Sequence, residues 1–210
     1  MPLTQLDTSR LSLRFAAHRP RLATWGGPLL AAICMLGIFA NDRFLRYGEG
    51  SFLHVALTDE PAHAVTALLT VAAVATWHRA WRAPAIRLAA LLGGTAIDLD
   101  HLPDALGWYG LSAGTARPHT HTLATLALLL GIARCQRGAR RRALLAAALG
   151  LGVHFLRDLV EGSTVPLLWP VTRYGFAVAY GWYAALLVVC VGMIVGGALR
   201  QRSHPGTDNR

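Results

Sequence analysis

The sequence predicts an all-α protein, a polytopic membrane helical bundle of about six spans with the N-terminus and C-terminus both cytoplasmic. Three observations lead there. Of the 210 residues, 54% are hydrophobic and only 15% are charged, against about a quarter charged in an ordinary soluble domain. The apolar residues collect into six stretches, at 23–40, 61–77, 84–97, 118–133, 143–157 and 175–199. The arginines between these stretches fall mostly on alternate sides.

Each stretch has its own justification. The first follows a tail carrying Arg10, Arg14, Arg19 and Arg21. It is long for the apolar core of a signal peptide and lacks a good small-residue cleavage site, so it reads as an uncleaved span. The second opens with Thr58-Asp59-Glu60-Pro61-Ala62-His63, a helix start in which Thr58 or Asp59 caps, Pro61 sits in the first turn and His63 lies one turn in. The third and fifth are short beside the ~17–25 residues that a bilayer takes. They qualify if their ends tuck into a polar cavity lined by protein. The fourth opens with Arg117-Pro118, again placing proline in a first helical turn. The sixth, like the first, is long enough to cross unaided. Trp108, Tyr109, Trp169, Tyr174, Trp182 and Tyr183 toward one end, and Trp25, Trp77 and Trp81 toward the other, fit interfacial aromatic belts.

Charge gives the orientation. All twenty basic residues are arginine, and the net charge is +9. Fifteen lie at one set of ends: the four of the tail, Arg79, Arg82 and Arg87, Arg134, Arg137 and Arg140 to Arg142, and Arg200, Arg202 and Arg210. Only Arg43, Arg46, Arg117, Arg157 and Arg173 lie at the other. The positive-inside rule makes the richer side cytoplasmic. The basic balance therefore belongs to topology, and no nucleic-acid partner is expected. Acidic residues run the opposite way: Asp42, Glu49, Asp59, Glu60, Asp98, Asp100, Asp104, Asp158 and Glu161 share the outer side, leaving Asp7 and Asp208 inside. Carboxylates contribute little to insertion topology, so this skew points to function. Cys34, Cys135 and Cys190 form no disulfide or CxxC pattern and read as small buried hydrophobes.

Five of the nine histidines sit near outer ends: His63, His101, His119, His121 and His154. In Asp98-Leu99-Asp100-His101-Leu102-Pro103-Asp104, Asp98 and His101 share one helix face and Asp100 and Asp104 another. Pro103 disfavours helix at Leu102, so the chain is expected to turn there. Three carboxylates at a helix C-terminus repel one another and meet the negative end of the dipole, which calls for a compensating cation; a solvated acidic turn is the plain alternative. In Arg117-Pro118-His119-Thr120-His121 the two imidazoles diverge on a helix, and His121 is the favoured ligand. His154 and Asp158, four apart, share a helix face as paired ligands or as a simple hydrogen bond. Alone, His63 reads more readily as a packed or hydrogen-bonded histidine.

The convergence of four stretches on one side favours metal. Nitrogen and oxygen donors without thiolate suit zinc, with manganese or iron as alternatives, and the number of candidates allows one or two divalent ions. The expected ligands are His63, Asp98, His101, His121, His154 and Asp158. Asp100 is expected to hold water or act as a further ligand, Arg117 to stabilise an anionic substrate, and Asp104 and Glu60 to support the ligands. Helix N-termini and Arg117 and Arg157 nearby would suit hydrolysis of a phosphoester, although these arginines can equally be solvated or salt-bridged.

These motifs, together with Pro166-Leu167-Leu168-Trp169-Pro170, resemble the bacterial inner-membrane metal-dependent hydrolases of the YdjM-like family over about 60–173. The resemblance implies metal-dependent hydrolysis in the bacterial plasma (inner) membrane, on a membrane lipid or lipid-linked substrate, as in the zinc phospholipases that the family distantly looks like. Residues 1–57, a basic tail, first span and outer segment, look like an addition; 58–200 form the hydrolase-like membrane domain and 201–210 a flexible tail. The rival reading is non-enzymatic: a metal-stabilised membrane scaffold or a divalent-metal transporter. The apolar middles of the later stretches offer no transport path.

Overall fold

The computed structural model describes residues 25–45, 52–115, 117–160 and 164–203, with the backbone alone at 45 and 52–56. The tail arginines before residue 25, Arg46, Glu49, Glu161 and the last seven residues, with both termini, lie outside the described residues. Among the described residues seven α-helices follow in order: α1 Gly26–Ala40, α2 Phe52–Trp77, α3 Pro84–Thr95, α4 Leu102–Ala105, α5 Leu123–Arg134, α6 Gly138–Val160 and α7 Gly181–Ser203. A π-helical turn, Asn41–Leu45, extends α1, and a 3₁₀ turn, Ala96–His101, joins α3 to α4.

The fold is an all-α, multi-pass bundle, but the expectation of six spans is corrected. Among the described residues, three helices are long and apolar enough to cross a membrane: Gly26–Phe44, Gly138–Val160 and Gly181–Ser203. The reasons are local. Helices α3 and α5 have 12 residues each, so at 1.5 Å per residue each is about 18 Å long against a ~30 Å hydrocarbon core. The fourth stretch loses its start because 117–122 is turn and extended chain. Its helix begins only at Leu123, where the Thr122 hydroxyl accepts from the Thr125 N–H at 3.3 Å. The fifth stretch instead gains length: arginines and alanines are good helix formers, and they carry α6 back to Gly138, which turns the chain at φ +57°. Helix α2 is 26 residues long but carries Asp59, Glu60 and His63. It starts at Phe52, not at Thr58, so Pro61 lies inside the helix and removes the bond that residue 61 would give the Leu57 carbonyl. The expected cytoplasmic placing of both termini falls on residues outside the described ones.

Helix α2 is the hub. On one side Ala62, Leu69 and Ala73 pack with Ala31 and Ile38 of α1 and with Tyr183, Leu187, Cys190 and Ile194 of α7. On the other, Val71 packs with Ile86 and Ala90 of α3 and Ala146 of α6. Helices α3 and α6 meet almost backbone to backbone. A Cβ on Gly93 would stand 2.0 Å from the Ala147 carbonyl oxygen, and one on Gly150 would stand 2.1 Å from that of Ala90. Lipid gives no hydrophobic drive between helices, so small residues that allow close contact carry such packing. The outward faces of α1 and α7 are apolar: Leu29, Leu30, Ile33, Val188 and Val189 are all exposed.

The aromatic belts hold in part. Trp108, Tyr109, Tyr174 and Trp182 are exposed. At the opposite end the Arg200 guanidinium lies 3.3 Å over the Trp77 ring and that of Arg202 lies 4.5 Å over Trp25. Tyr183 is no belt residue, being fully buried. Nor is Cys135 a buried hydrophobe: it is exposed at the C-cap of α5.

Candidate metal centre

Four local structures deliver the polar side chains. In α2, His63 projects into the cluster with 1% of its surface exposed. After α3 the chain tightens into the 3₁₀ turn, where three residues per turn stack Asp98 over His101. Pro103 does not force the expected turn at Leu102; it sits in the first turn of α4, and the tightening before it changes the direction. The non-helical 117–122 segment places His121 just ahead of α5, its N–H bonded to the Pro118 carbonyl at 3.0 Å. Helix α6 brings His154 and Asp158, both buried, from successive turns.

The side chains form one continuous cluster containing two groups able to hold a divalent ion: His63, His154 and Asp158, all buried, and Asp98, His101 and His121, half-buried at the first two. His63 Nε2 lies 3.6 Å from Asp158 Oδ1, with its ring stacked on His154 at 4.0 Å. His101 Nε2 lies 3.6 Å from Asp98 Oδ1. The groups touch through His121 Nε2, which is 3.3 Å from His154 Nε2, 3.3 Å from Asp98 Oδ1 and 3.5 Å from Asp158 Oδ2. His154 Nε2 is in turn 3.5 Å from Asp98 Oδ1 and 3.2 Å from Asp158 Oδ2. All six expected ligands thus meet.

Two observations fit a metal to these residues. Buried atoms with no hydrogen-bond partner include His63 Nδ1 and His101 Nε2, whereas the Asp158 oxygens have ion pairs but no hydrogen bond. Native interiors rarely tolerate such orphans. Second, His121 Nε2, His154 Nε2 and either carboxylate oxygen form triangles with edges of 3.2–3.5 Å. Tetrahedral zinc with bonds of ~2.0–2.1 Å has ligand–ligand edges of about 3.3–3.4 Å.

The surroundings orient the ligands. His154 Nδ1 donates to the Gly94 carbonyl at 3.0 Å, which fixes its tautomer and leaves the Nε2 lone pair facing the cluster. That carbonyl is within reach because Gly93 and Gly150 let α3 and α6 approach. Asp100 Oδ1 lies 3.9 Å from His101 Nε2. The same carboxylate lies behind His121, Oδ2 3.3 Å from Nδ1, and takes a hydrogen bond from Thr120. Burial lowers the His121 pKa, but Asp100, Asp98 and Asp158 outweigh it and push it up to about 9. For Asp98, burial acts upward, yet its bond to His121 and the charges of His154 and His63 hold it below the usual carboxylate range. Burial first, then His121 and Arg117, keep His101 low and neutral.

Several expectations shift. Arg117 pairs with Asp158, Nη2 to Oδ1 at 3.2 Å. Arg157, one residue before Asp158, turns away from the cluster into a buried ion-pair network with Asp42 and Asp59. His119 stacks on Trp169 at 4.6 Å, outside the cluster. Because α2 starts eleven residues before His63, its N-terminus does not face the site. Asp59, expected as a cap, has its Oδ2 3.4 Å from His63 Nε2; the i,i+4 spacing on a longer helix is the signal.

With this geometry in hand, the family comparison is decisive: the family described as YdjM inner membrane protein matches residues 59–206. The chain belongs to the YdjM family. No curated protein and no solved structure matches it. The YdjM match begins at Asp59, so α1 and its π-helical turn lie outside it, whereas all six clustered ligands lie within. The family and the two ligand groups together support a membrane metal-binding protein, and the family name with the three candidate spans agrees with a multi-pass protein of the bacterial inner membrane.

Proposed function

We propose that this protein is a membrane-embedded, metal-dependent hydrolase acting on a lipid or lipid-linked phosphoester at the extracytoplasmic face. The observation that carries the reading is the pair of abutting ligand groups, one closed and one open. His63, His154 and Asp158 are sealed, whereas Asp98 and His101 keep 14% and 24% of their side-chain surface exposed. A catalytic zinc site holds three protein ligands and keeps a position for water or substrate. A bound divalent ion, zinc by the donor set, would supply Lewis acidity and lower the pKa of water at that open side.

The chain's own groups have complementary tasks. His63, His154 and Asp158 hold one position, and Asp98, His101 and His121 the accessible one. Asp100 fixes the His121 ring from behind. Arg117, beside Asp158, adds positive charge where an anionic ester would lie. Exposed Leu99, Leu102, Leu106, Trp108 and Tyr109 surround the open side with apolar surface suited to lipid. A purely structural scaffold draws support from the sealed group alone; the accessible group favours the enzyme. Transport has little support, since the buried hydroxyls of Thr66 and Thr70 in α2 are spent on the carbonyls of Ala62 and Thr66.

The test is elemental analysis of detergent-purified protein, followed by phospholipid turnover. We expect at least one zinc-class ion per chain, and turnover that falls on the order of 100-fold or more in Asp98→Ala, since the ion's charge stabilisation is worth several kcal/mol. Bound metal without turnover of any ester would remove the hydrolase and leave the metal centre.

A further inference from the structure

We infer that Asp42, on the first helix and outside the family match, is a positioning residue for the metal cluster, acting through Arg157 and Asp59. The inference rests on the metal-centre part of the proposed function, not on the reaction. Its basis is a buried charge network shared by α1, α2, α6 and α7.

Arg157 is 1% exposed. Its Nη2 and Nη1 donate to the two oxygens of Asp42 at 2.8 and 3.2 Å, and its Nε and Nη2 donate to Asp59 Oδ1 at 3.0 and 2.9 Å. Nη1 also reaches the Tyr183 hydroxyl at 3.1 Å. The remaining hydrogens are placed: Thr66 donates to the Ala62 carbonyl, so the Tyr183 hydroxyl donates to Thr66 at 2.5 Å, and Tyr180 donates to Asp42 Oδ2 at 2.7 Å. Charged groups this deep persist only when paired and fully bonded.

Asp59 has two tasks. Its Oδ1 takes both bonds from Arg157, while its Oδ2 faces His63 Nε2 at 3.4 Å. The guanidinium thereby sets the angle of the carboxylate that flanks His63. Arg157 is itself anchored on its other edge by Asp42. Because Arg157 and Asp158 are consecutive on α6, a shift of the guanidinium also moves a ligand. With Asp42 neutralised, Arg157 draws more heavily on Asp59, and Oδ2 leaves its place beside His63. A helix outside the family match is thus wired into the cluster.

The test is zinc affinity of the full-length, detergent-purified protein, measured by competition with a chromophoric chelator. Outer partners of metal ligands typically contribute 10–100-fold in affinity. Asp42→Asn is therefore expected to weaken zinc binding by about that factor, and Tyr180→Phe, which removes one bond but no charge, by less. Asp59→Asn should weaken it as well, and the double variant Asp42→Asn/Asp59→Asn should lose less than the product of the two, because both act through one guanidinium. Ile38→Ala, which loosens α1 packing without touching the network, should keep wild-type affinity. Wild-type affinity in Asp42→Asn overturns the inference, as does an equal loss in Ile38→Ala, which would make α1 a stabiliser only. If Asp42→Asn does not fold, Tyr180→Phe decides, and unchanged affinity there overturns it. Zinc binding without ester turnover sinks the hydrolase and spares this inference; no zinc binding by the wild type ends both.

Discussion

His121 is the residue on which both ligand groups converge, and its protonation ties them to pH. In the metal-free protein its pKa is raised from an ordinary 6.5 to about 9. A raised folded-state value means that protonated His121 contributes stability in full below about 6.5, and that this contribution is lost as pH climbs through about 9. Metal-free protein should therefore melt at progressively lower temperature between pH 6.5 and 9.5, and His121→Gln should lose that slope. A metal must displace the same proton. Zinc affinity should accordingly rise with pH up to about 9 and then level off, with proton release visible by calorimetry in buffers of different ionisation enthalpy. A flat melting profile in the wild type would contradict this assignment. Residues such as His63, His101, His121, His154 and their carboxylates were legible in the sequence because donors of one chemistry recur at one end of successive helices. Asp42 and the true role of Arg157 were not, since a pairing between residues 115 positions apart leaves no local pattern.

At the scale of elements, the least visible feature in the sequence is the contact that makes the site possible. Ala90 and Gly94 on α3, and Ala146 and Gly150 on α6, are spaced as small-xxx-small pairs, and each alone is a common sight in an apolar helix. Only the crossing shows that Gly150 has no room for a Cβ, with the Ala90 carbonyl 2.1 Å from its position and the Gly94 amide at 2.9 Å. Gly150→Ala must push α3 from α6 and is expected to cost about 1–3 kcal/mol of stability. It should also lengthen the His154–Gly94 bond and so weaken zinc binding, whereas Gly152→Ala, where a Cβ meets nothing, should do neither. Equal melting temperatures for the two variants would refute the close crossing. Helix existence was legible from hydropathy, and lengths were not. Hydropathy undercounts polar but helix-forming ends, as in Arg140 to Arg142 of α6, while the proline signal at Pro118 starts a helix too early, across the polar turn 118–122.

Across the whole molecule, charge and chemistry occupy opposite ends. Arg82, Arg87, Arg134, Arg137 and Arg140 to Arg142 lie at the ends of α2, α3, α5 and α6 away from the cluster, and Arg200 and Arg202 close the same end of α7 over Trp77 and Trp25. The correction from six candidate spans to three changes the count of crossings but not this polarity, because α2 and α6 each run between the two ends. By the positive-inside rule the arginine-rich end is expected on the cytoplasmic side. Cys135 provides the probe, being exposed at the far end of α5 beside Arg134. With Cys34 and Cys190 replaced by alanine, a membrane-impermeant maleimide should label Cys135 in inverted vesicles and leave it unlabelled in intact spheroplasts. Leu106→Cys, at a residue 85% exposed next to the metal cluster, should show the reverse in a chain lacking the native thiols. Labelling of Cys135 from outside would turn the site toward the cytoplasm, where a lipid-linked substrate would have to come from the inner leaflet.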